Sequence, residues 1–170
     1  MSDDELIEQI RLGNEDAAEE LVRRYYSSIL RYCKWHCPGP EKAEDLTQDT
    51  FLKLFNSLSE YKGKNRFKAY LYTIANHLCI DESRRIQLCS LDEEEMEGAE
   101  CKEFVHLEDQ AEVRYLLAVL SSEQREAVIL RFGEQLSYKE IAKVTGCNMR
   151  TAQSRVRGAL KIMRREREHG

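Results

Sequence analysis

Apolar positions recur at helical spacing through most of the chain, separated by polar faces and a few sharp breaks. Leu6, Ile7 and Ile10 predict a short helix over residues 3–12, ended by Gly13-Asn14. Ala18, Leu21, Val22, Tyr25, Ile29, Tyr32 and Cys33 predict a second from about residue 16 to 36, stopped by Cys37-Pro38-Gly39-Pro40. A third, over 40–58, buries Ala43, Leu46, Thr47, Phe51, Leu54, Phe55 and Leu58. Phe67 opens a fourth, to about residue 85, with Phe67, Tyr70, Leu71, Ile74, Ala75, Leu78 and Cys79 inward.

The period then lapses. Residues 88–112 are acidic and irregular, the composition of a flexible linker kept extended by its own charge. Helical spacing returns at 113–120. Ser121-Ser122-Glu123-Gln124 then caps a helix carrying Ala127, Val128, Ile129 and Leu130, which ends at Phe132-Gly133. From Leu136 to Arg165 the pattern is two helices around a tight turn. Ser137 and Glu140 form a capping box, and Ile141, Ala142 and Val144 supply the apolar side. Gly146 suits a left-handed C-cap, and Asn148 suits the next N-cap. The last helix buries Ala152, Val156, Ala159, Leu160 and Met163, and turns Arg150, Gln153, Ser154, Arg157 and Lys161 to the other side. This is the pattern of a helix-turn-helix, whose second helix lies in the major groove where Arg and Gln hydrogen-bond base edges. A plain helical hairpin with a solvated charged face is the alternative.

The fold class is therefore all-α, in two small helical domains. Four helices occupy residues 1–87, the linker 88–112, and the helix-turn-helix domain 113–170.

A net charge of −5 argues against a nucleic-acid binder until its distribution is read. Residues 61–85 hold six Lys or Arg against two Asp or Glu, and residues 138–170 hold nine against three. Two basic blocks stand among acidic ones, and a local patch decides DNA contact. No stretch has the roughly 18 apolar residues of a membrane span, so a cytoplasmic protein with reduced thiols is expected.

Three smaller groupings bear on chemistry. Asp45, Gln48, Asp49 and Leu52, with Glu44 at the edge, share one face of the third helix, either solvated surface or a docking face for a basic helix. The loop from Tyr61 to Arg66, with Lys62, Lys64, Asn65 and Arg66, leads into a helix whose other face carries Tyr72, Thr73, Asn76 and His77. Cations along a phosphate path, rings that stack and amides that read edges suit single-stranded nucleic acid. An aromatic core helix with an ordinary exposed side fits the same residues. Cys33, His36 and Cys37 lack a second ligand pair at zinc-finger spacing, and Cys33 and Cys79 continue apolar stripes, so core positions and no metal are expected. With no Gly-rich phosphate loop and no nucleophile beside an evident base, neither enzyme nor cofactor is expected.

Taken together, AEDLTQDTFLKLF, FKAYLYTIANHLCIDESRR and LSSEQREAVILRFGEQLSYKEIAKVTGCNMRTAQSRVRGALKIMRR resemble the extracytoplasmic-function sigma factors, minimal members of the sigma-70 family of bacterial RNA polymerase. The resemblance implies core polymerase as partner, through its β′ and β subunits, with Glu44, Asp45, Gln48, Asp49 and Leu52 on the β′ coiled coil. It implies melting of the −10 element by Lys62, Lys64, Asn65, Arg66, Tyr72, Thr73 and Asn76, with one base flipped into a protein pocket and Arg84 and Arg85 on the upstream backbone. It assigns the −35 element to Arg150, Thr151, Gln153, Ser154, Arg155, Arg157 and Lys161. It further implies an anti-sigma factor, a stress or envelope regulon, and no membrane insertion. Two positions depart from the family: Tyr70 stands where Trp is usual, and Gly158 where Arg is frequent, which removes a phosphate contact. A two-domain helix-turn-helix regulator that binds duplex DNA without polymerase is the rival, and it has no need of the DLTQDTF face.

Overall fold

The computed structural model describes residues 1–37, 39–90 and 108–169. The chain divides into two compact units, Met1–Met96 and Glu97–Gly170. The first contains α1 (Asp3–Arg11), α2 (Glu15–His36), α3 (Pro40–Ser57), a short 3-10 turn (Leu58–Glu60) and α4 (Phe67–Ser90). The second contains α5 (Glu108–Ala118), α6 (Ser122–Val128) running into a wide π turn (Ile129–Gly133), α7 (Tyr138–Thr145) and α8 (Met149–His169). Among the described residues there is no strand.

In the first unit α2 packs against α1 and α3, and α4 lies against both α2 and α3. Contact on two sides widens the buried sector of α4. Phe67, Leu71, Ala75 and Cys79 are buried as the period predicts, but so are Ala69, Tyr72 and Asn76. Aromatic rings fill the junctions: Tyr25 meets Phe67 edge-on at 5.4 Å, and Tyr32 meets Tyr72 at 5.5 Å and 85°. Thr47 and Thr50 are buried in α3 because each hydroxyl donates back to a carbonyl one turn earlier, Ala43 at 2.7 Å and Leu46 at 2.6 Å.

The second unit is framed by its caps. Ser121 and Gln124 exchange reciprocal hydrogen bonds, both 3.2 Å, and Ser137 and Glu140 do the same at 2.9 and 3.1 Å. Gly146 closes α7 in the left-handed conformation at φ 70, and the amide of Thr151 donates 2.7 Å to Asn148 Oδ1 at the start of α8. Ala127, Val128, Ile129 and Leu130 are all buried, four consecutive positions that an α-helix would not turn inward together. The π turn accommodates them, with the Glu134 amide donating to the Ile129 carbonyl at 3.0 Å.

Helices enter the expected linker segment, 88–112, from both ends. α4 continues to Ser90, since no Gly or Pro interrupts Ile86-Gln87-Leu88, and α5 starts at Glu108, five residues before the first apolar position that marks its period. Residues 91–107, the rest of that segment, lie outside the described residues.

Candidate nucleic-acid interface

In α8 the cap at Asn148 fixes the first turn, and Ala152, Val156 and Ala159 seat the helix on α6 and α7. Small residues at two of these three places let the axes approach closely. The opposite side then presents Arg150, Ser154, Arg157 and Lys161 to solvent, with Gln153 half-buried beside them. Thr151 is half-buried at the cap. Arg155 departs from this row. Its side chain leans towards α6, 3.8 Å from the Glu123 carboxylate, and is 23% exposed. Gly158 also faces α6: a Cβ added there would stand 3.2 Å from Gln124 Nε2. The position that the family often gives to Arg thus stands close to a neighbouring helix.

In the first unit, Lys62, Lys64, Asn65 and Arg66 are exposed on the loop between the 3-10 turn and α4. Gly63 (φ 80), Lys64 (φ 69) and Asn65 (φ 58) all have positive φ, a run that curls the backbone tightly. The loop is tied down at Tyr61, which is 6% exposed and donates its hydroxyl to Asp4 Oδ1 at 2.8 Å. Burial, then the Asp4 carboxylate, pushes that hydroxyl's pKa well above the ordinary tyrosine value. Beside the loop is a cavity of about 370 Å³ lined by Ser2, Asp3, Asp4, Arg24, Tyr25, Asn65, Phe67 and Lys68. Asp3, Asp4, Arg24 and Lys68 were not readable as site residues, because nothing local in the sequence brings residue 4 to residue 65.

The outward reading of Tyr72 and Asn76 is corrected. Tyr72 is 1% and Asn76 5% exposed, and Asn76 Nδ2 donates to the Tyr32 hydroxyl at 3.0 Å. They fall in the sector of α4 that α2 covers. Thr73 is half-buried, with its hydroxyl donated to the Ala69 carbonyl at 2.6 Å, and His77 is exposed. Tyr70 is held by Ser57, whose Oγ is 2.6 Å from its hydroxyl, and its ring lies 5.2 Å from that of Tyr61. Farther along α4, Arg84 is exposed and Arg85 pairs with Glu82 at 2.8 Å. On α3, Glu44, Asp45, Gln48, Asp49 and Leu52 are all exposed, the Leu at 63%.

Residues 21–88 match the sigma-70 region 2 family, and residues 110–163 match sigma-70 region 4. Over 146 residues the chain is 32% identical to RNA polymerase sigma factor YlaC of Bacillus subtilis, covering 81% of this chain and 84% of that one. It belongs to the extracytoplasmic-function sigma factors. The ECF RNA polymerase sigma factor BldN of Streptomyces coelicolor is 35% identical over 152 residues, 85% of this chain and 58% of the longer BldN. The sigma factor RpoE of Bartonella quintana, solved with the anti-sigma factor NepR, shares the fold at a TM-score of 0.71 and 24% identity, over 86% of this chain and 94% of that one. In this sigma factor the matched region 2 begins at residue 21, so α1 precedes it.

Cys33 and Cys79 of the sigma factor lie where the apolar stripes put them. Cys33 and Cys79 are buried with sulfurs 3.9 Å apart, and Cys37 is buried at the end of α2. No described helix is long and apolar enough to cross a membrane.

Proposed function

We propose that this sigma factor joins core RNA polymerase, directs it to promoters and opens them, acting by binding and not by catalysis. In this reading α8 reads the −35 element through Arg150, Gln153, Ser154, Arg157 and Lys161, with Thr151 and Arg155 at the margin. The loop with Lys62, Lys64, Asn65 and Arg66 holds the melted −10 strand, Thr73 adds a contact where α4 begins, and Arg84 and Arg85 meet the upstream backbone. Extruding a base costs about a few kcal/mol, which stacking and phosphate contacts at the loop must offset. The cavity beside Asn65 has room for it. Tyr72 and Asn76 support this surface from inside. Glu44, Asp45, Gln48, Asp49 and Leu52 dock on the β′ subunit, and the second unit meets the β subunit. The sigma factor works in the cytoplasm with the polymerase and is held in reserve by an anti-sigma factor, the kind of partner with which the Bartonella quintana relative was solved.

The outward row on α8 carries this reading: four exposed polar or basic side chains on a capped, rigidly seated helix. Run-off transcription with bacterial core polymerase on a promoter library tests it. Start sites that depend on the protein, behind two shared elements about two helical turns apart, are expected. Tight duplex binding by the protein alone, without any dependent transcript, would establish a simple regulator instead. Asp49→Ala should reduce core binding and leave the folded stability unchanged.

A further inference from the structure

We infer that α1 is a clamp that sets the shape of the promoter-reading loop, with Asp4 and Arg11 as its positioning residues. The inference rests on the promoter reading above for the loop's role and on geometry alone for the clamp. α1 lies ahead of the matched region 2 span, so the family match gives it no task.

The loop needs holding. Lys64 and Asn65 are non-glycine residues in the left-handed region, side by side after Gly63. Asparagine enters this region readily, but lysine is disfavoured there, and a run of such residues is held by surrounding contacts. α1 supplies contacts at two points, and Tyr61 relays the second to a third. At the start, the Arg11 guanidinium donates to the Leu58 carbonyl at 2.7 Å and to the Tyr61 carbonyl. In the middle, Asp4 accepts from the Asn65 amide at 2.9 Å and from the Tyr61 hydroxyl at 2.8 Å. At the end, the same hydroxyl accepts from the Arg66 amide at 3.2 Å, which carries the carboxylate's hold on to the first residue before α4.

α1 is itself well anchored. Leu6 and Ile7 are buried, Ser2 and Glu5 form a capping box, and Asp3 pairs with Arg24 at 3.2 Å and accepts from the Tyr25 hydroxyl. A carboxylate beside a basic loop would weaken phosphate binding if it only contributed charge. Here Asp4 takes backbone and phenol donors while the Lys62, Lys64 and Arg66 side chains stay exposed for a strand. The clamp thus fixes the backbone before DNA arrives and lowers the ordering cost of capture.

The test uses the full chain carrying Asp4→Asn, Arg11→Gln or the milder Tyr61→Phe, with Asp16→Asn on α2 as control. Limited trypsin digestion of the free protein reads loop opening at Lys62, Lys64 and Arg66. With core polymerase, permanganate reactivity of −10 thymines reads melting, alongside core binding and −35 duplex binding. Expected for Asp4→Asn is roughly tenfold faster cleavage at these sites and a comparable loss of melting, with the other two activities retained, as for one charge-assisted anchor. Tyr61→Phe should give a smaller change in the same direction. Unchanged cleavage in all three variants would overturn the clamp. Faster cleavage with undiminished melting would overturn the positioning role. A wild-type protein that opens no promoter would sink the promoter reading, and the cleavage rates would still decide the clamp.

Discussion

Asn76 Nδ2 donates to the Tyr32 hydroxyl, 3.0 Å away, across the buried contact of α4 with α2. An amide on the surface is free to read a base, whereas this one is engaged by a buried phenol between α4 and α2. Asn76→Ala therefore removes a partner from a buried hydroxyl, at a cost of about 1–3 kcal/mol in folding stability. Chemical denaturation should show that loss, with −10 recognition falling as the folded fraction falls. A variant of wild-type stability that still fails to melt promoters would return Asn76 to the role of a direct base reader.

Arg157 and Arg155 are two residues apart, yet they occupy different settings. Arg157 is exposed on the outer row of α8, whereas Arg155 leans on Glu123 of α6. Arg157→Ala should cost about 1–3 kcal/mol of −35 recognition, the usual value of one good base or phosphate contact, with core binding intact. Arg155→Ala should cost less, and a surface pair at 3.8 Å contributes under about 1 kcal/mol to folding. Competition between promoters differing only in the −35 element measures both. Equal losses from the two variants would mean that Arg155 leaves Glu123 to meet DNA.

What the sequence made legible was whatever depends on local spacing. The Ser137 capping box, the left-handed Gly146 and the Asn148 cap all follow from residues within four positions of one another, and each stands where the pattern put it. The exposed α3 stripe with Leu52 was readable for the same reason. The errors fell where a second neighbour decides burial. Tyr72 and Asn76 lie off the apolar period of α4, and only the presence of α2 on that side takes them inside. The lean of Arg155 towards Glu123 and the approach of Gly158 to Gln124 were likewise not legible, because one helix, viewed alone, cannot show where α6 lies. The link from Asp4 to Asn65 spans 61 positions and has no motif to announce it.

Glu82 joins α4 to α3. Its carboxylate lies 3.2 Å from Lys42 Nζ and 2.8 Å from Arg85, and the Arg85 hydrogen bond, followed by Lys42, holds its pKa below the ordinary value. A depressed folded pKa stabilises the protein above the unfolded pKa of about 4.3, and that contribution is lost as pH falls through the folded value. Glu82→Gln should therefore lower the unfolding free energy from urea titration at pH 7 by about 1 kcal/mol, since both partners of this carboxylate reach solvent. The gap from wild type should narrow steadily below about pH 4. A gap that stays constant down to pH 3 would show that the charge of Glu82 contributes nothing and that only its packing matters.

Gly158 sits in the middle of α8, where glycine costs about 1 kcal/mol relative to alanine. Opposing that gain, a Cβ at this position would approach Gln124 Nε2 to 3.2 Å. Gln124 is the end of a flexible side chain, so it can yield by a few tenths of an ångström, but its Oε1 also accepts from the Ser121 amide in the capping box of α6. Gly158→Ala should then stabilise the protein by about 0.5 kcal/mol, with most of the helix gain surviving a slightly loosened cap. Thermal unfolding of Gly158→Ala and of the double variant with Gln124→Ala separates the two effects. If the cap takes up the strain, Gly158→Ala gains more stability in the Gln124→Ala background than in the wild type. A destabilised single variant whose loss persists without Gln124 would mean that the spacing of α6 and α8, not the cap, requires glycine there.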